Sequence, residues 1–137
     1  MSTSSHIGII NKDKTITTIY CHWDGYPSHH TPILLNNYNT EEKIRELIAL
    51  GNISVLAENI TPIAEHSFEN PEKKVVVAYH RDRNDKWEEC KPKQYKSKND
   101  VIENASASYI YLFDVETNTW QYTKNKQFRT FTKPIKS

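Results

Sequence analysis

The densest concentration of reactive side chains lies between Tyr20 and Pro27, Tyr-Cys-His-Trp-Asp-Gly-Tyr-Pro, where a thiol, an imidazole, a carboxylate and three rings are neighbours. Cys21 with His22 would supply a nucleophile and its base, and His22 with Asp24 an oriented base. On an extended strand, however, residues 21 and 22 point to opposite faces, so a direct Cys-His pair is poor geometry. The chain also carries no glycine-rich phosphate loop, no nucleophile elbow and no paired-carboxylate signature. These features argue for a protein that is not an enzyme. Imidazole and carboxylate are ordinary ligands for zinc or iron, and His22, His29, His30, His66 and His80 with Asp24 would be the candidates. Their spacing matches no metal motif, since HxH, HExxH and CxxC are all absent. No metal and no cofactor are therefore expected.

The remaining chemistry is recognition of a nucleotide-sized ligand. A base needs a flat plane to stack on, and its phosphates need guanidinium groups or backbone donors nearby. Trp23, Tyr26, Tyr79 and Trp87 offer planes. Arg81 and Arg83, two apart on an expected strand, would present both guanidiniums on one face, with His80 and Asp82 on the other. The candidate ligand-binding set is His22, Trp23, Asp24, Tyr26, Tyr79, Arg81 and Arg83. A purely structural use competes for the same residues: Trp23 and Tyr26 would plug the core, and the arginines would pair with Asp82, Asp85 or helix acids.

Several elements must position these groups. Ile7 to Ile10 and Thr15 to Tyr20 read as a hairpin around Asn11-Lys12-Asp13-Lys14, with Ile16, Thr18 and Tyr20 on one face and Thr17, Ile19 and Cys21 on the other. Asp24-Gly25 and Pro27 make Trp23 to His30 a defined loop. Thr31-Pro32 predicts a short helix to about Tyr38. Thr40 caps a second helix that carries Ile44, Leu47, Ile48 and Leu50 at helical spacing and closes at Gly51. A long irregular excursion runs from Asn52 to Glu72. Lys74 to Tyr79, a continuous apolar run, predicts a central strand, with Trp87 to Cys90 as its partner. Lys91 to Asn99 reads as a solvated lysine-rich link, and Asn99 to Asn104 as a helical turn. Ser108 to Asp114 and Trp120 to Tyr122 form a hairpin, and Phe128 to Thr132 an edge strand. The pattern describes one α+β domain over residues 1–137, an antiparallel sheet with two helices packed on one face.

Bulk properties narrow the partners. With 137 residues the chain supports one core. A hydrophobic fraction of 36% and a mean hydropathy of -0.76 describe a wet surface over a thin core. Its formal net charge of +1 gives no electrostatic case for duplex nucleic acid. No apolar stretch is long enough to cross a bilayer, and the start of the chain lacks the apolar segment of a signal peptide, so a cytoplasmic protein is expected. Cys21 and Cys90 are expected as reduced, structural thiols.

The residues Ile7-Gly8-Ile9-Ile10, Ile19 to Pro27, Leu34-Leu35, Tyr38-Asn39 and Leu50 to Ser54 resemble a small protein recurrent in tailed-phage genomes. His66-Ser67-Phe68, Ala78-Tyr79, Arg81-Asp82-Arg83 and Tyr111 to Asp114 extend the resemblance over most of the chain. In size and character the chain is similar to phage anti-defence sponges, which sequester cyclic ADP-ribose species or cyclic oligonucleotides that serve as immune signals. The resemblance implies a homo-oligomeric binder without turnover, acting in the host cell cytoplasm on a nucleotide-like small molecule. Two other readings stay open: a protein-protein inhibitor of a host defence or transcription protein, and a metal-dependent hydrolase of the signal.

Overall fold

The computed structural model describes residues 3–124 and 126–136. Strands β1 (Ser5–Ile10) and β2 (Ile16–Cys21) form the expected hairpin, with Ile7 opposite Ile19 and His6 opposite Tyr20. All six residues of β1 are buried. Its turn is held by Asp13, whose carboxylate accepts from the Thr15 backbone N–H and hydroxyl.

Helix α1 (Pro27–Asn37) begins five residues before the expected start at Pro32. Pro27, not Pro32, occupies the first helical position, and Thr31 caps nothing: its buried hydroxyl donates to the Pro27 carbonyl at 2.6 Å. The loop after β2 is correspondingly shorter. Helix α2 (Glu41–Ile48) follows its sequence signals. Thr40 accepts from the Lys43 N–H, Glu41 and Glu42 lie in the first turn, and Gly51 at φ 76 terminates the segment.

Beyond α2 come β3 (Ile53–Val55), β4 (Val77–Ala78), the short helices α3 (Tyr79–Arg83) and α4 (Trp87–Cys90), β5 (Lys93–Tyr95) and α5 (Lys98–Asn104). The chain finishes with β6 (Tyr109–Asp114), β7 (Thr119–Thr123) and β8 (Arg129–Phe131). Eight strands make one sheet in the order β4-β3-β2-β1-β6-β7-β8, with β5 on β2. It is mixed rather than antiparallel, because β1 runs parallel to β6 and β2 parallel to β3. The outer edge of β2 is split between two partners: β5 takes Ile16 to Thr18, and β3 takes Cys21.

Two expectations fail at Lys74 to Cys90. The apolar run supplies only a two-residue strand at the end of the sheet, although Val75 to Ala78 are buried. The Asp82 carboxylate accepts from the Ala78 N–H at 2.8 Å, and Asn84 closes the turn in the left-handed region, so the chain coils into α3 where a strand was expected. Trp87 to Cys90 is helix α4, not a partner strand. The lysine-rich link also carries more structure than a solvated loop, contributing β5 and the start of α5.

Alternation along β1 and β2 divides the interior. Ile7, Ile9, Ile19 and Cys21 pack with Leu34 and Tyr38 of α1 and Ile44 and Leu47 of α2, on the face both helices cover. Ile10 and Ile16 face the other way, into a smaller cluster with Tyr95, Val101, Ile110 and Leu112. Cys21 and Cys90 are buried, free thiols. Among the described residues, no helix is long and apolar enough to cross a membrane.

Candidate functional site

The strand registers bring a set of rings together on the face away from α1 and α2. His6 and Tyr20 lie opposite each other on β1 and β2. Cys21 pairs with Ile53, and Ile53 with Ala78, and all three belong to the helix-covered core. Their chain neighbours Tyr20, His22, Ser54 and Tyr79 therefore share the opposite face.

On that face the rings form a ladder. Centroids are 5.9 Å apart for His6 and Tyr20, 6.0 Å for Tyr20 and His22, and 4.6 Å for His22 and Trp23. The Tyr20 hydroxyl lies 3.0 Å from His22 Nδ1. The ladder ends in solvent, where Trp23 is 44% exposed. Its other end is enclosed by a cavity of about 210 Å³ lined by His6, Thr18, Tyr20, Asn52, Lys93 and Tyr95, among others. His6 Nδ1 is 3.0 Å from Thr18 Oγ1, and the Tyr95 hydroxyl bonds the same threonine. Burial, reinforced by the Lys93 charge, lowers the His6 pKa to about 4, so this imidazole is neutral at pH 7. The fixed positive charge at the pocket belongs to Lys93.

Across β3 stands a second group. The Tyr79 hydroxyl bonds the Ser54 side chain, and the Trp23 N–H donates to the Ser54 carbonyl at 3.0 Å. The Arg83 guanidinium lies 4.6 Å from the Tyr79 ring centroid and 4.8 Å from that of Phe68. It also forms a two-pronged pair with Asp85 at 2.8 and 2.6 Å, while its side chain stays 48% exposed. A cleft of about 580 Å³ opens beside Phe68, Arg81, Arg83 and Asn84.

Arg81 takes a different course. On helix α3, positions 81 and 83 diverge, so the shared strand face expected of the two arginines does not form. Arg81 Nη1 donates to the Ile60 carbonyl, Nη2 to that of Val76, and Nε and Nη2 to the Asp82 carboxylate. His66 Nε2 lies 3.2 Å from the same carboxylate. Arg81, Asp82 and His66 thus pin the long excursion to α3. Burial alone would raise the Asp82 pKa, but hydrogen bonds from Arg81 and the Ala78 N–H, with the His66 ring beside the carboxylate, hold it below the usual carboxylate value. Ion pairing, the structural alternative for the two arginines, engages both: Arg81 with Asp82, its remaining donors going to backbone carbonyls, and Arg83 with Asp85.

Asp24 and Tyr26 build the corner beneath the ladder. Asp24 adopts φ 57, leaving Gly25 so close to Ser4 that a Cβ would lie 2.8 Å from its carbonyl carbon. The Gly25 N–H donates to Thr3, and its carbonyl accepts from the buried Tyr111 hydroxyl at 2.7 Å. Tyr26 precedes α1, and its ring packs on His29 at 6.0 Å, away from the ladder. The remaining imidazoles serve the fold. His30 Nε2 lies 2.9 Å from Ser5 Oγ with both residues fully buried, and His80 Nδ1 lies 2.7 Å from the Asp85 carbonyl. Burial pushes the Cys21 thiol up to about 12 and lowers the His30 pKa to about 3. The Ser5-His30 contact has the geometry of a nucleophile and base, sealed from any substrate. Among the described residues no three His, Cys, Asp or Glu side chains gather as a metal set.

No family model, curated protein or solved structure matches this chain.

Of the expected site residues, the fold brings His22, Trp23, Tyr79 and Arg83 to the two flanks of β3, uses Asp24 and Tyr26 as scaffold, and commits Arg81 to the excursion. The fold adds His6, Asn52 and Lys93 at one cavity and Phe68 at the other to the groups expected from the sequence. His6 was within reach: a hairpin turning at Asn11 to Lys14 already sets it opposite Tyr20.

Proposed function

We propose that the protein binds a nucleotide-like small molecule on the second face of its sheet and holds it without turnover. The observation that carries this reading is the joint placement of the His6-Tyr20-His22-Trp23 ladder and of Arg83 stacked on Tyr79, either side of β3. Rings supply the stacking planes that a base requires, and Arg83 and Lys93 supply cations for its phosphates. Binding is favoured over catalysis because the groups best suited to nucleophilic attack, Cys21 and Ser5, are both fully buried. The resemblance to phage proteins supplies the biological setting: a counter-defence sponge, homo-oligomeric, that lowers the free concentration of a cyclic ADP-ribose species or cyclic oligonucleotide in the host cell cytoplasm.

The test is direct. The purified protein is incubated with a panel of cyclic nucleotides and ADP-ribose derivatives, washed and heat-denatured, and the released compounds are identified by mass. Recovery of an intact ligand, with binding weakened at least tenfold by Trp23→Ala, is the expected result. A chemically altered product would instead assign an enzyme. Retention of nothing would leave the exposed Trp23 to a protein partner, the reading its 44% exposure favours as the second choice.

A further inference from the structure

Charge along the chain is segregated at a place the nucleotide reading does not use. The protein is nearly neutral, yet residues 117–137 hold five cations (Lys124, Lys126, Arg129, Lys133 and Lys136) and no Asp or Glu. Three of them, Lys124, Lys126 and Arg129, line a cleft of about 540 Å³ on the β7–β8 hairpin together with Tyr122, Thr123 and Gln127. Elsewhere on the surface Lys14, Lys43, Arg45, Arg83 and Lys91 each have a carboxylate within 4.0 Å. Among the described residues, Lys124, Lys126 and Arg129 take part in no ion pair. A second cavity of about 430 Å³ adjoins through Thr123, Lys124 and Lys126, and its far wall is apolar, formed by Ile102, Ala105 and Ile110.

An independent observation singles out the same spot. Thr123 lies in the wall common to both cavities, and its buried hydroxyl has no hydrogen-bond partner among the described residues. Buried hydroxyls are normally satisfied, and an orphan calls for a missing acceptor. Uncompensated like charges around it repel one another, so the locus is arranged for an anion rich in oxygen acceptors.

We propose that this hairpin cleft is a second binding site, separate from the ring ladder, for the polyphosphate chain of a small molecule. Two or more phosphoryl groups match the three cations, and a small opening of the wall between the cavities would let a phosphoryl oxygen accept from the buried Thr123 hydroxyl. Lys98, which donates to Gln121 and lies 5.4 Å from the Phe128 ring centroid, adds positive potential on the same hairpin.

The experiment titrates the protein with inorganic tripolyphosphate and follows backbone amide resonances. Saturable shifts at Thr123, Lys124, Lys126 and Arg129 are expected, with affinity falling at least tenfold in Lys124→Gln/Lys126→Gln. Trp23→Ala should leave that affinity unchanged, which separates this site from the ladder. Because the lysines are exposed, the double variant should fold; Arg129→Gln provides the same test should it not. Three outcomes would overturn the proposal: no saturable shift, shifts insensitive to both variants, or equal shifts with sulfate at matched ionic strength. A single-stranded oligonucleotide binding more than tenfold tighter than tripolyphosphate would also overturn it, assigning the cleft to a nucleic-acid backbone instead.

Discussion

The two faces of the sheet are built from alternate residues of the same strands, yet they do different work. On the helix-covered face Ile7, Ile9, Ile19 and Cys21 meet α1 and α2 in an apolar core closed by Trp120, whose indole N–H donates to the Tyr38 carbonyl at 2.8 Å. On the second face His6, Thr18, Tyr20 and His22 meet a thinner cover and leave a polar cavity and a ladder of rings. Stability is concentrated on one side, and the other is free to carry unpaired donors and partly exposed aromatics. The hardest challenge to this division is Trp120→Ala, which removes a large ring that is 2% exposed. A loss of about 3–5 kcal/mol is expected in chemical denaturation. By contrast, Trp23→Ala should leave the denaturation midpoint nearly unchanged, and equal losses from the two tryptophans would erase the distinction.

Acid should stress both faces, through a different histidine on each. Ser5 and His6 are adjacent on β1 and point oppositely: Ser5 holds His30 under α1, and His6 meets Thr18 at the second-face cavity. In the unfolded chain both imidazoles take a proton near pH 6.5. Folded, burial defers protonation of His6 to about pH 4 and of His30 to about pH 3. The unfolded state therefore binds more protons as pH falls below about 6.5. Stability should drop by about 1.4 kcal/mol per pH unit for each histidine until the folded form also titrates. Urea denaturation between pH 7 and pH 4 reads the slope. His6→Gln should flatten it by one proton without abolishing it, and a slope that the variant leaves unchanged would refute the assignment to His6.

Much of this division was legible in the sequence, because strand alternation and helix capping are local. Ile16, Thr18 and Tyr20 do part from Thr17, Ile19 and Cys21, and Thr40 does cap α2. What failed depends on distant partners. Nothing near β1 records that β6 will lie parallel to it, with the residues from β2 to α5 intervening. The run Val75 to Ala78 is buried whether it pairs as a strand or not, so hydrophobicity could not separate a central strand from a two-residue edge followed by a helix. The site shows the same limit. His22, Trp23, Tyr79 and Arg83 are candidates by residue type, and the fold gathers them near β3, whereas the commitment of Arg81 arises from the Ile60 and Val76 carbonyls, which only the fold brings near.

Arg81 and Arg83 reproduce the contrast between scaffold and surface within one turn of helix. Arg81→Ala would leave two carbonyls without their donor and the Asp82 carboxylate, whose side chain is 5% exposed, with only the Ala78 N–H and His66 beside it. A loss of about 2 kcal/mol is expected, because hydrogen bonds to charged groups are worth more than neutral ones and their remaining partners stay buried. Loosening of the excursion should appear as faster amide exchange at Asn59 and Val76, whose backbones pair there. Asp82 adds a pH signature. Its folded pKa is depressed, so its contribution is present above the ordinary carboxylate value and is lost as pH falls through the lower folded value, a component that Arg81→Ala should shrink. Arg83→Ala removes an exposed guanidinium and a solvent-screened pair with Asp85, so the melting temperature should stay close to the parent's. Its effect belongs to binding: at least tenfold weaker retention of whichever nucleotide the panel identifies, with Arg83→Lys recovering little, since an ammonium cannot stack on Tyr79 and Phe68 as a planar guanidinium does. If Arg83→Ala instead destabilised the protein as much as Arg81→Ala while leaving ligand retention intact, the second arginine would belong to the scaffold as well, and the ring-lined face would lose its charged wall.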